Sequence, residues 1–157
     1  MNEMQQNQPS VELNKTYNHS IENYGFGNLP PEICGELFKD GRTFSHFMEK
    51  FIAHNYPLIH VPGCKPYDFT DIKHTEILYD EKTFTRNGAN FCPSNMLGQG
   101  RTFDQERFLE HSKKLIFCIV SNVDFPNIKI KFVKGEDLIK DYPRGKIPLK
   151  DHVKFFD

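Results

Sequence analysis

Six consecutive apolar residues, Leu115-Ile116-Phe117-Cys118-Ile119-Val120, constrain the fold of this chain more than any other feature. A run with no polar side chain leaves no face for water. It falls far short of the roughly 18–20 apolar residues that cross a bilayer, so it reads as a central strand buried on both faces. Such a strand needs a packed layer above and below it, and helices on both sides of a mixed or parallel sheet supply those layers.

The flanking pattern agrees with that requirement. Pro30-Pro31-Glu32 predicts the start of a short helix ending near Phe38, because proline at the first helical position loses an amide hydrogen that had no partner there. After Asp40-Gly41, Phe44, Phe47, Met48, Phe51 and Ile52 recur at helical spacing and set one apolar stripe against a core. Residues 57–62 read as a short extended segment. Residues 67–72 and 76–85 read as two strands joined by the polar Lys73-His74-Thr75. A long polar loop follows over residues 86–101, and Thr102 with Gln105 makes a capping box for a helix over 103–114. Beyond the apolar run, Ile128, Ile130 and Phe132 alternate with Lys129 and Lys131 in a half-exposed strand, and residues 135–142 read as a short helix. The succession predicts an α/β fold with a mixed central β-sheet flanked by helices.

Composition adds limits. The chain has 157 residues, of which 38% are hydrophobic, enough for one core and one domain. Residues 1–20 are rich in Asn, Gln and Ser and read as a flexible polar arm, leaving 21–157 as the single domain. The start is too polar for a signal peptide. The four cysteines form no Cys-x-x-Cys pair, and Cys118 lies inside the apolar run, so free thiols, a reducing cytoplasm and no membrane association are expected. His54, His60 and Cys64 lack the spacing of a structural zinc site. Charge is unevenly divided: residues 1–81 hold 6 Lys/Arg against 12 Asp/Glu, whereas residues 82–157 hold 14 against 9. The second half has the sign that attracts a polyanion.

The chemistry is carried by Pro66-Tyr67-Asp68 on one strand candidate and Asp80-Glu81-Lys82 on the next. Side chains alternate along a strand, so Asp80 and Lys82 project to one face and Glu81 to the other. If the two strands are neighbours, Asp68 converges on that face, giving two carboxylates and an ammonium. Mg2+ takes oxygen ligands and keeps open positions, so this trio is suited to hydrolysing a phosphodiester. Asp71-Ile72-Lys73 repeats the acid-x-Lys spacing, but it falls where the strand should turn.

With these residues the sequence resembles the PD-(D/E)xK nuclease superfamily, and within it the small type II restriction endonucleases of the PvuII kind. Asp68 after Pro66, Tyr79-Asp80-Glu81-Lys82-Thr83, the order of polar loop, helix, apolar strand, basic strand and short helix, and the closing Lys146-Ile147-Pro148-Leu149-Lys150 carry the likeness. The resemblance implies a restriction endonuclease-like core and Mg2+-dependent cleavage of double-stranded DNA by a homodimer. It implies Asp68 and Asp80 as metal ligands, the Glu81 carbonyl completing the coordination, and Lys82 as the catalytic lysine. It also implies a cognate DNA methyltransferase in the cell, not held in a stable complex. Glu49 stands where some members carry an auxiliary acid, although a solvent-facing helix glutamate is the simpler reading.

Phosphate contacts are expected from Lys113, Lys114, Lys129, Lys131, Arg144 and Lys146. Base reading requires bidentate donors and acceptors, which Arg86, Asn87, Asn90, Asn95, Gln99 and Arg101 supply in the loop after the candidate catalytic strand. Two other functions fit the same residues. One is a less specific repair or recombination nuclease. The other is a non-catalytic nucleic-acid-binding module in which Asp68, Asp80 and Lys82 form a surface ion-pair group.

Overall fold

The computed structural model describes residues 7–22, 27–93 and 103–157. Among them the chain is a mixed α/β structure built on one sheet. In chain order the elements are β1 (Thr16–Ser20), α1 (Pro31–Lys39), α2 (Gly41–Asn55), β2 (Leu58–His60), β3 (Phe69–Asp71), β4 (Leu78–Thr85), β5 (Gly88–Asn90), α3 (Gln105–Lys113), β6 (Leu115–Ser121), β7 (Asn127–Lys134), α4 (Gly135–Asp141), β8 (Lys146–Ile147) and α5 (His152–Phe155). The sheet runs β1-β7-β6-β4-β3-β2, with β5 paired to the end of β4 and β8 to β5. β2, β3 and β4 form an antiparallel meander, α3 lies in the connection to β6, and β6 runs parallel to β4.

The apolar run is the middle of this sheet. Every residue of β6 is buried. Ile116, Cys118 and Val120 face the core that also contains Phe44, Met48 and Ile52 of α2. Leu115, Phe117 and Ile119 face a second core with Phe108 of α3, Leu138 and Ile139 of α4 and Phe155 of α5. Burying one such side chain contributes roughly 1.5–3 kcal/mol, so the two cores hold β6 from both sides. On α2 the stripe is graded: Phe44, Met48 and Ile52 are buried, while Phe47 and Phe51 lie at its margin against Phe38 and His19.

Two expectations change. Residues 16–20, assigned by composition to a flexible arm, are the edge strand β1, in antiparallel register with β7 from Thr16↔Lys131 to Ser20↔Asn127. Few apolar side chains are needed there, because β7 offers an open edge of backbone donors and acceptors. Upstream of β1, Val11 is buried and Ser10 bonds Asp71 through its amide (2.7 Å) and its hydroxyl (2.8 Å). The polar loop also contains a strand, β5. Gly88 has φ +87°, and a Cβ there would collide with the Ile147 carbonyl, so glycine lets β5 turn back from β4 and pack against β8. The cap of α3 is Asp104, whose carboxylate accepts from the Arg107 amide at 3.1 Å; Thr102 lies outside the described residues.

Candidate functional site

β4 places the chemistry. On one edge it pairs with β3 through Leu78 and Tyr79 and with β5 through Phe84 and Thr85. Between those pairings, residues 80–83 have no strand partner on that edge among the described residues, and the sheet opens into a gap. Asp68 stands at its border, one residue before β3. Its amide donates to the Tyr79 carbonyl at 2.8 Å, and its carboxylate accepts from the Glu81 amide at 2.8 Å, filling the position a neighbouring strand would occupy. A strand residue directs its N–H and C=O to the same side, so the Glu81 carbonyl faces this gap as well.

Asp80 and Lys82 project from the same face of β4, with Lys82 Nζ 3.2 Å from Asp80 Oδ2. The two side chains are 13% and 28% exposed for Asp80 and Lys82, so the pair is neither sealed nor freely solvated. Burial pushes the Asp80 carboxyl up to about 7; Lys82 opposes the shift, and the Asp68 carboxylate at hydrogen-bonding range adds to it. Two adjacent carboxylates with one ammonium beside Asp80 carry more acid than base. That is the donor set a hard cation satisfies. Among the described residues, no three His, Cys, Asp or Glu side chains form a metal cage. The gap offers two carboxylates and a main-chain oxygen instead, an open set that leaves positions for other oxygens.

The Glu81 side chain turns to the opposite face, under α2. It is 6% exposed, Ser45 Oγ donates to its Oε2 at 3.1 Å, and Oε1 is buried without a partner. Burial raises its carboxyl well above the ordinary glutamate range, only partly offset by Ser45, and Glu49, Asp68 and Asp80 raise it further. Glu49 is half-buried and its carboxylate lies 3.5 Å from His60 Nε2. His60 thus has a carboxylate partner on α2, while Cys64 is exposed.

The proposed readers divide. Asn87 and Asn90 line a groove of about 650 Å3 that begins at Thr83, one residue past Lys82, and also includes Lys146. Asn90 Oδ1 accepts from the Cys92 amide at 3.2 Å, which holds the side chain at the groove wall. Arg86 leans the other way, toward the Val123 carbonyl at 3.4 Å. Asn95, Gln99 and Arg101 lie outside the described residues. Of the phosphate candidates, Lys131 is occupied locally, donating to the Phe155 carbonyl at 2.5 Å and lying over that residue's ring. Lys113 pairs with Glu110 at 3.5 Å.

Sequence reading missed the residues behind this trio. His111 of α3 lies close enough to Lys82 for its charge to matter: burial lowers the imidazole's pKa first, then Lys82, Lys114 and Arg107 lower it further. Its sequence signal is the i, i+3 spacing from the buried Phe108, which puts both on the inward side of α3. Ser45 gave no such signal, because only the packing of α2 on β4 reveals its partner. No family model, curated protein or solved structure matches the chain. The functional reading therefore stands on the site's chemistry.

Proposed function

We propose that this chain is a Mg2+-dependent, sequence-specific endonuclease acting on double-stranded DNA, a type II restriction enzyme working as a homodimer. The carrying observation is that Asp68, Asp80 and Lys82 meet at one gap in the sheet edge. The antiparallel β2-β3-β4 meander, the α3 connection and the parallel β6 support a restriction endonuclease-like core.

Asp68, Asp80 and the Glu81 carbonyl would hold the Mg2+, which when bound supplies Lewis acidity toward a phosphodiester. The remaining steps belong to this chain's own groups. Lys82 contributes positive charge where negative charge grows on the phosphoryl oxygens, and Asp80 orients that ammonium. Attack of water on phosphorus with departure of the 3′ oxygen leaves 5′-phosphate and 3′-hydroxyl ends. Asn87 and Asn90, in the groove lined by Thr83, Thr85 and Lys146, present the donor and acceptor pair that adenine's major-groove edge accepts.

A merely structural ion pair fits less well. A surface pair contributes little and is freely solvated. Here one acid is largely buried beside a second acid, an arrangement that costs stability unless a cation or proton resolves it. The test is incubation with plasmid and Mg2+. Discrete fragments are expected, and Lys82→Ala should slow their appearance by about 100-fold or more, the scale lost with one charge-stabilising group. Plasmids that stay intact across many templates would overturn the proposal, and a smear of products would select a less specific nuclease.

A further inference from the structure

On the other flank of the β4–β5 turn lies a second concavity, of about 730 Å3, that the catalytic reading leaves unused. Lys39 at the end of α1, Arg86 in the turn and Lys129 of β7 all line it. Asp124 is the one carboxylate among the described residues that line it, and burial favours the neutral form of the His19 imidazole. Among the described residues, none of the three cations has a carboxylate within 4.0 Å. Their polar contacts are to neutral acceptors: Lys129 Nζ donates to Asn18 Oδ1 at 2.9 Å, and Arg86 to the Val123 carbonyl at 3.4 Å. Three cations against one carboxylate, with no close ion pair among them, leave the cleft net positive, and an incoming anion relieves the repulsion among the cations.

We infer that this cleft anchors the phosphate backbone of duplex DNA at a distance from the cleavage site, and that Arg86 is a backbone contact, not a base reader. The inference rests on the nuclease reading for the identity of its partner. Adjacent turn residues serve different tasks: Asn87 lines the groove along β5 and β8, whereas Arg86 lines the cationic cleft. Arg86 follows Lys82 by four residues, roughly 13 Å of extended chain at ~3.3 Å per residue. Duplex DNA advances ~3.4 Å per step, so that reach corresponds to about four base-pair steps from the cut phosphate. The anchor would hold the backbone in register while Asn87 and Asn90 meet base edges.

The test measures binding of two duplexes of unrelated sequence over a range of salt, with Mg2+ and a Lys82→Ala background that keeps the DNA intact. Replacing Lys39, Arg86 and Lys129 together with Gln should flatten the slope of log K against log salt by about 2–3, near 0.9 per phosphate contact. It should also weaken both duplexes by similar factors. Replacing Lys15, Lys50 and Lys140, exposed lysines away from this cleft of which the first and last are paired with Glu12 and Asp137, should leave the slope unchanged. An unchanged slope in the cleft variant, a loss confined to one sequence, an equal loss in the control or a preference for RNA hairpins overturns the assignment. A parent protein that binds neither duplex sinks this inference together with the nuclease reading. Cleft-dependent duplex binding by a wild-type chain that never cuts plasmid would sustain the cleft and overturn only the cleavage reading.

Discussion

Glu81 performs two jobs at one position. Its backbone serves the gap, where the amide holds Asp68 and the carbonyl faces the proposed metal, while its side chain is buried beneath α2 against Ser45. The burial that raises its carboxyl favours the neutral form, which behaves as a hydrogen-bonded polar group and not as a buried charge. Glu81→Gln, equal in size and permanently neutral, is therefore expected to change unfolding stability by less than about 0.5 kcal/mol. Ser45→Ala, which strands the acid, should cost about 1 kcal/mol. Urea unfolding of both variants checks this. A loss of several kcal/mol in Glu81→Gln would show that the side chain is ionised and paired, contrary to this account. Alternation along β4 was enough to sort Asp80 and Lys82 from Glu81 in the sequence, because a period of two is a local property. What lies above each face was not legible, since Ser45, Glu49 and His111 arrive from distant segments.

At the scale of elements, the meander depends on a carboxylate that the acid-x-Lys pattern offered as a rival catalytic group. Asp71, at the end of β3, accepts from the Ser10 amide and hydroxyl, the Lys73 amide at 3.0 Å, the His74 amide at 3.3 Å and the Tyr79 hydroxyl at 2.9 Å. It ties the segment before β1, the turn after β3 and the start of β4 into one knot. Burial alone would raise its carboxyl, but the bonds from Ser10, Lys73 and Tyr79 outweigh that and bring it down to about 2. A carboxylate depressed in the folded state adds stability that is complete above its unfolded value near 4 and lost as pH falls through about 2. The contribution is on the order of 1–2 kcal/mol, so Asp71→Asn should be less stable than wild type at pH 7, with the difference closing between pH 4 and 2. Urea midpoints of the two proteins at several pH values decide it. A difference that stays constant through that window means Asp71 is not the titrating group. β6, β7 and α2 were legible because hydrophobic periodicity fixed them. β1 and β5 were not: each is held by backbone bonds to a strand far along the chain, which composition does not record.

At the scale of the whole molecule, each chain has one gap with one set of Asp68, Asp80 and Lys82 among its described residues. On the proposed chemistry one such set would cut one strand, so cleavage of both strands would require two chains. A two-fold dimer places two equivalent sets on a palindromic target, which ties the proposed oligomer directly to the proposed chemistry. Mixing makes that relation measurable. If wild type is co-refolded with an excess of Lys82→Ala chains, most wild-type chains enter dimers with one intact gap. Those dimers should nick one strand and convert supercoiled plasmid to open circles, with linear product suppressed. Homodimers of wild type should pass quickly to linear DNA. Linear product that persists in proportion to the wild-type chains, whatever the excess of variant, would mean that a single chain cuts both strands or that the chains do not pair. Either result breaks the link between one gap per chain and double-strand cleavage by a symmetric pair.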